Sequence, residues 1–193
     1  MPHSHLSEII RAIDSLLSQS TSPLMISIDG DSGSGKTTLG QQLQQHYKAN
    51  LIHVDDFYLP KALRTNERFS IPGGNIHTER LLQLLLPLNE GIAADYTAYT
   101  PWTDRFEFIG TIAPQALTIV EGSYSQLPVL RSLYQFTIFL KIDSQTQYER
   151  LKQREGASGV QRFLNEWIPR EKAYHKRDNV EAQARLVIDV TKS

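Results

Sequence analysis

The chain has 193 residues, a formal net charge of −1 at pH 7 and no cysteine. That length fits one α/β domain able to bury a sizeable core. The near-neutral balance offers no basic field for nucleic acid, and the missing thiols exclude disulfides, thiolate catalysis and cysteine-ligated zinc.

Residues 1–5 lack the basic and apolar regions of a secretory signal. No apolar stretch approaches the ~20 residues of a membrane span. A cytoplasmic protein with no membrane or nucleic-acid partner is therefore expected. His3 and His5 are of a metal-binding type, but a frayed terminus is the expected state there. Leu6, Ile9, Ile10, Ile13, Leu16 and Leu17 recur at helical spacing and predict an amphipathic helix over 6–17. A polar turn over 18–23 leads into a short apolar run, 24–28, read as a buried strand.

Residues 30–37 then read Gly-Asp-Ser-Gly-Ser-Gly-Lys-Thr, a complete G-x-x-x-x-G-K-[ST] phosphate loop. Glycines let the backbone wrap a polyphosphate, and the loop N–H groups and the following helix N-terminus face the anion. The candidate nucleotide contacts are Gly30, Asp31, Ser32, Gly33, Ser34, Gly35, Lys36, Thr37 and Thr38. Lys36 is expected on the β- and γ-phosphates, and the Thr37 hydroxyl on Mg²⁺. The pattern sits where it should: a strand before it, and a helix over 38–47 after it, with Leu39 and Leu43 four apart.

Residues 51–54 predict a second strand, and 55–75 a mostly irregular stretch broken by Pro60, Pro72 and Gly73-Gly74. A Leu-rich helix over 78–86 is expected to stop at Pro87, and 95–110 to form a β-hairpin or a long loop. Strands follow at 116–120 and 135–142. A helix over 144–154 has Ser144 as its expected N-cap, 155–159 is glycine-containing and expected to be mobile, 160–177 is helical despite Pro169, and 185–190 is a last strand. Strands alternating with helices imply a parallel sheet with ligands beyond its carboxyl ends. No linker divides the chain, so a single domain over 1–193 is expected, with 55–110 as an acceptor-binding insertion and about 150–162 as a lid.

Several charged residues fall where phosphoryl transfer needs them. Asp55 and Asp56 follow the second strand, and a carboxylate there could take the proton of an attacking hydroxyl; the plain alternative is a solvated acidic pair. Glu121 ends a buried strand, the place of a second magnesium-organising group beside Thr37. Arg150 and Arg154, four apart on one helical face, could neutralise charge over the phosphates, or merely pair with Glu149 and Glu155. Arg162 is a weaker candidate. Phe57, Tyr58, Tyr96, Tyr99, Trp102 and Phe106 could wall an acceptor site; Tyr58 is the first choice, followed by Tyr99 and Arg105.

Four motifs occur in order over about residues 24–160: Gly-Asp-Ser-Gly-Ser-Gly-Lys-Thr-Thr, Val-Asp-Asp-Phe-Tyr-Leu-Pro, Ile-Val-Glu-Gly-Ser-Tyr and Arg-Leu-Lys-Gln-Arg-Glu. Together they resemble the uridine kinase-like branch of P-loop kinases, which includes uridine–cytidine, nicotinamide riboside and pantothenate kinases and phosphoribulokinases. The resemblance implies a three-layer α/β P-loop fold, a central parallel sheet flanked by helices with a small lid. It also implies ATP and Mg²⁺ as cofactors, a small-molecule hydroxyl acceptor, and often a homo-oligomer. It maps the catalytic acid to Asp55, the Glu-Gly pair to Glu121-Gly122, and the lid arginines to Arg150 and Arg154, with Glu155 in place of an Asp. The sequence departs from uridine kinases in a shorter, less basic lid, in a 95–99 segment without the expected His, and in a Trp167…Pro169…Tyr174 region similar to nicotinamide riboside kinases.

The expected function is ATP-dependent γ-phosphoryl transfer to a nucleoside hydroxyl, uridine first. The alternatives are another hydroxylated metabolite, such as nicotinamide riboside or pantothenate, or a non-catalytic nucleotide-binding regulator. A GTPase switch would need an Asn-Lys-x-Asp motif and a transport ATPase a Leu-Ser-Gly-Gly-Gln-type signature; neither occurs.

Overall fold

The computed structural model describes residues 3–191. The apolar stripe at the start forms α1 (His3–Gln19), with Ile9 and Ile13 fully buried. His3 and His5, expected at a frayed terminus, instead open this helix; the His3 side chain lies outside the described ones. β1 (Leu24–Gly30) is buried along its whole length and runs through the glycine loop into α2 (Lys36–Tyr47). β2 (Asn50–His53) ends in a 3₁₀ turn, Val54–Phe57. The stretch expected to be irregular carries a second 3₁₀ turn and α3 (Asn66–Ser70), which Thr65 caps by accepting the Arg68 N–H.

α4 (Thr78–Asn89) does not stop at Pro87 but carries it inside the last turn. An interior proline costs a helix about 3 kcal/mol. Leu84, Leu85 and Leu88 are all buried on the same helix, and each contributes about 1.5–3 kcal/mol, so packing outweighs the breaker. Residues 95–110 resolve as a hairpin of β3 (Ala94–Thr100) and β4 (Arg105–Ile112), with a register shift at Tyr96/Thr97. β5 (Leu117–Glu121) and β6 (Phe136–Lys141) follow.

α5 (Ser144–Arg162) replaces the expected helix and mobile segment: only Gly156 leaves helical geometry, at φ 75° and ψ 179°, and kinks the rod there. A conformation with positive φ suits glycine, which lacks a Cβ. The cap of α5 is Asp143, not Ser144; its side chain accepts from the N–H groups of Gln145 and Thr146. A π-helical turn, Phe163–Trp167, joins α5 to α6 (Ile168–Arg177), where Pro169 is tolerated in the first turn. α7 (Val180–Gln183) and β7 (Leu186–Asp189) complete the described chain.

Five strands form one parallel sheet in the order β2-β5-β1-β6-β7. Period-2 alternation divides β1 between two cores. Ile26 and Ile28 pack with Ile9 and Ile13 of α1 and Leu39 and Leu43 of α2. Met25, on the opposite face, packs with the α4 leucines, Tyr124 and Tyr174. The sheet is therefore the middle layer of three. β1 lies at its centre and delivers the glycine loop to the carboxyl end, where such folds bind ligands.

Candidate active site

A cavity of about 460 Å³ opens at that end of the sheet. Residues 32–38 of the loop form one wall, and Asp55 and Tyr58 a second. Glu121 to Tyr124 form the floor, and Arg150, Arg154, Phe163 and Trp167 lie along the lid side. Within the loop, Gly33 and Gly35 adopt φ 79° and 95°. Left-handed residues alternating with ordinary ones turn successive N–H groups to one side, making an anion-binding concavity at the start of α2. Lys36 is buried along this concavity, its Nζ donating to the Gly30 carbonyl at 2.8 Å and the Asp31 carbonyl at 3.1 Å.

The candidate nucleotide residues divide into two groups. Ser32, Gly33, Ser34, Gly35, Lys36, Thr37 and Thr38 line the cavity, whereas Gly30 and Asp31 lie beneath it. The Asp31 carboxylate turns away to accept the Ile142 N–H at 3.1 Å, and burial raises its pKa. Under the loop, Asp29 is fully buried and accepts from the Gly30 N–H, the Gln126 N–H and the Tyr174 hydroxyl. Burial alone would raise the Asp29 pKa, but the His175 contact, the Lys36 charge and the Gln126 bond together hold it low.

The acids gather as their positions after the strands required. Glu121, buried at the end of β5, places one carboxylate oxygen 3.3 Å from the Thr37 hydroxyl and the other 2.5 Å from His53 Nδ1. That bond is the main cause of a raised His53 pKa. Asp55, second in the 3₁₀ turn, lines the cavity and is exposed to it. Burial, and next the Glu121 charge, push its pKa up, with Lys36 and a Tyr58 hydrogen bond opposing. Asp56 points elsewhere, accepting the Tyr96 hydroxyl at 2.5 Å. The structure thereby separates two neighbours that the sequence left as a pair.

Arg150 and Arg154 both line the cavity. Arg150 donates to the Gly33 carbonyl at 3.4 Å and the Val190 carbonyl at 3.1 Å. Arg154 is more exposed, paired with Glu155 at 2.6 Å and stacked over Phe163. Arg162 is not brought to the cavity; it lies against Glu166 and the Trp167 ring.

Two acceptor candidates are not brought to the cavity either. Tyr99 is buried in the hairpin, its hydroxyl donating to Asp104 and its ring against Phe106, and Arg105 is exposed at the start of β4. The period-2 rule explains this: alternate hairpin residues are committed to the hairpin's own packing. Tyr58 does line the cavity, and its aromatic partner is Trp167 at 6.0 Å.

Sequence reasoning missed Glu171, Gln147 and Ser123. Glu171 is buried in α6 and accepts from the Ser32 N–H, the Ser32 hydroxyl and the Ser123 hydroxyl. Gln147 donates to the Ser32 carbonyl at 2.8 Å. Their partners lie 139 and 115 residues away along the chain, so no local pattern marks them.

The deoxynucleoside kinase family model matches residues 26–168. A uridine kinase of Chloroflexus aurantiacus is 30% identical over 152 residues, covering 70% of this chain and 69% of the relative. Among solved structures, one described as a possible uridine kinase from Bacillus stearothermophilus aligns with a TM-score of 0.68 at 24% identity, over 94% of this chain and 100% of its own. A D-glycerate 3-kinase from Cryptococcus neoformans aligns with a TM-score of 0.64 at 14% identity, over 98% and 97%. These two likenesses bear on the fold, a three-layer P-loop α/β architecture. The phosphate loop, the carboxylates around it and the match over most of the chain lead to one statement: the chain belongs to the deoxynucleoside kinase family, as a uridine kinase-like P-loop phosphotransferase with a hydroxyl acceptor.

Proposed function

We propose that this chain is an ATP- and Mg²⁺-dependent kinase that transfers the γ-phosphoryl group to a hydroxyl of a nucleoside, with uridine as the first acceptor. The observation that carries the reading is that Asp55 faces the same cavity as the loop lysine and the Thr37–Glu121 pair. A base, a phosphate cradle and a magnesium-organising pair then share one space, which is what phosphoryl transfer requires.

Asp55 accepts the proton of the acceptor hydroxyl, and its raised pKa makes it a stronger base than an ordinary carboxylate. Lys36 and the N–H groups of Gly33 to Thr38 hold the donor phosphates, with Gly30 and Asp31 shaping the loop from beneath. Arg150 and Arg154 neutralise charge over the transferring group. Thr37 and Glu121 are the protein's share of a magnesium site. Among the described residues no three His, Asp or Glu side chains gather into a metal cage, which suits an ion that takes most of its ligands from nucleotide phosphates and water. When bound, the ion would supply charge neutralisation on the donor phosphates.

The acceptor lies against the wall that Tyr58 and Trp167 form together. Asp55, Glu121 and Glu171 make this cavity acidic away from its arginines, which disfavours a carboxylate acceptor such as pantothenate. A second reading, nicotinamide riboside, has its own support. Phe163 and Trp167, from the stretch that resembles nicotinamide riboside kinases, line the cavity, whereas hairpin residues Tyr99 and Arg105 do not. We assign the whole of 1–193 to one cytoplasmic kinase domain, with 55–110 as its acceptor insertion and 150–162 as its lid; a homo-oligomer fits the family.

The test is ADP release from ATP·Mg²⁺ across a panel of nucleosides, nicotinamide riboside and pantothenate. Uridine is expected to stimulate it most. Stimulation by nicotinamide riboside alone would select the second reading, and no acceptor-dependent ADP from any member would leave a nucleotide-binding regulator instead.

A further inference from the structure

Ser32 is held from both ends of the lid. Gln147, on α5 before the lid, donates to its carbonyl at 2.8 Å. Glu171, on α6 after the lid, accepts its N–H at 3.1 Å and its hydroxyl at 2.6 Å. Both side chains are 5% exposed. The same Glu171 carboxylate takes the Ser123 hydroxyl at 2.7 Å, two residues beyond Glu121. Every polar group of this one loop residue is thus committed to the two stems that carry the lid, and the stem after the lid is also fixed to the floor of the site.

A buried carboxylate beside a triphosphate site needs a reason, because it repels the ligand and is costly to desolvate. Three hydrogen bonds satisfy this one and make it a rigid three-way joint. Between the stems lie the Gly156 kink and the π turn carrying Phe163 and Trp167. Among the described residues Arg154, two residues before the kink, pairs with Glu155 and stacks on the Phe163 ring, both on the lid itself, so its proposed placement over the phosphates depends on how the stems are held.

We propose that Glu171, with Gln147, clasps Ser32 and so acts as a positioning residue, setting the lid arginines relative to the phosphate loop. This rests on the kinase reading above. The loop's own N–H groups hold the donor without the clasp, so its loss should fall on turnover and not on nucleotide affinity.

The test compares wild type, E171A, E171Q, R154A and E171A/R154A. It measures kcat with the best acceptor, nucleotide affinity by calorimetry, and hydrogen exchange over residues 157–167. E171A should lower kcat about 30-fold while nucleotide Kd changes less than about threefold, and E171Q, which keeps an acceptor for the Ser32 N–H, should recover most of that loss. In the R154A background the further cost of E171A should shrink below about threefold, because both act on the same step. Exchange over 157–167 should quicken in E171A with nucleotide bound. Additive costs, an E171Q as poor as E171A, or unchanged exchange would overturn the clasp. If wild type turns over no acceptor, the kinase reading falls, and exchange and affinity still judge the clasp. If E171A does not fold, Ser32→Ala, which deletes only the shortest of the bonds, carries the same comparisons.

Discussion

The proposed donor and acceptor halves of the cavity differ in how the fold has already engaged them. On the donor side, Lys36, Thr37, Asp29, Asp31 and Ser32 each have a hydrogen-bond partner within the fold. These bonds hold the loop's shape, the buried Ser34 hydroxyl being left for the ligand side, and a preorganised site spends little on ordering when it binds. On the acceptor side, Tyr58 and Trp167 meet at 6.0 Å, Arg154 is 57% exposed at its side chain, and the neighbouring hairpin leaves Trp102 79% exposed. On the proposed reading, the half whose polar groups are already engaged takes the donor and the more exposed half takes the acceptor.

The sharpest way to break that comparison is at Asp55, where the halves meet. D55N should cut kcat by about 10²–10⁴-fold, while nucleotide affinity, measured by calorimetry, is unchanged. Loss of affinity would place Asp55 in the donor half. The acid limb of kcat against pH should lie above the ordinary carboxylate range, because burial and Glu121 raise this pKa. The same shift has a stability sign. A carboxyl whose folded pKa exceeds its unfolded value contributes stability below its unfolded pKa, and that contribution is lost as pH rises through the folded one. At pH 7 the charge on Asp55 is therefore unfavourable, but the side chain is open to solvent, so D55N should raise Tm only slightly at neutral pH, with the gain vanishing below about pH 4.

Next in size is R154A. Its guanidinium is expected to act on charge that develops only during transfer, so kcat should fall about 10- to 100-fold with KM for the donor little changed. Equal losses in kcat and donor affinity would instead make Arg154 a ground-state ligand belonging to the rigid half.

Legibility in the sequence follows the same division. The phosphate loop and its flanking strand and helix were readable because their chemistry is local: eight consecutive residues carry it, and periodicity supplies the elements on either side. Asp55 and Glu121 were readable because each directly follows a buried strand, and a parallel sheet brings strand ends together. Ser32–Glu171 and Ser32–Gln147 were not, since such bonds depend on how α5 and α6 fold back over the sheet. Pro87 misled because the breaker rule counts only the lost backbone bond and strain, while the buried leucines of α4 decide the outcome. Tyr99 misled because aromatic content marks an apolar face without saying which side of a strand meets the cavity.

The acceptor wall can be tested by truncation. W167A should raise acceptor KM about tenfold, consistent with loss of one stacked face worth about 1–1.5 kcal/mol, and leave donor KM within about twofold. A matching rise in donor KM would mean that the π turn braces the phosphate loop as well.

The smallest expected effects fall on the hairpin. Tyr99→Phe removes a hydroxyl that serves Asp104, and Arg105→Ala removes an exposed cation, and neither residue lines the cavity. Both variants should keep kcat and acceptor KM within about twofold of wild type, since changes at sites without shared partners act independently. A large rise in acceptor KM in either one would mean that the hairpin swings onto the bound acceptor, placing the missing acceptor contacts on β3 and β4 and making the acceptor half a site completed only by its ligand.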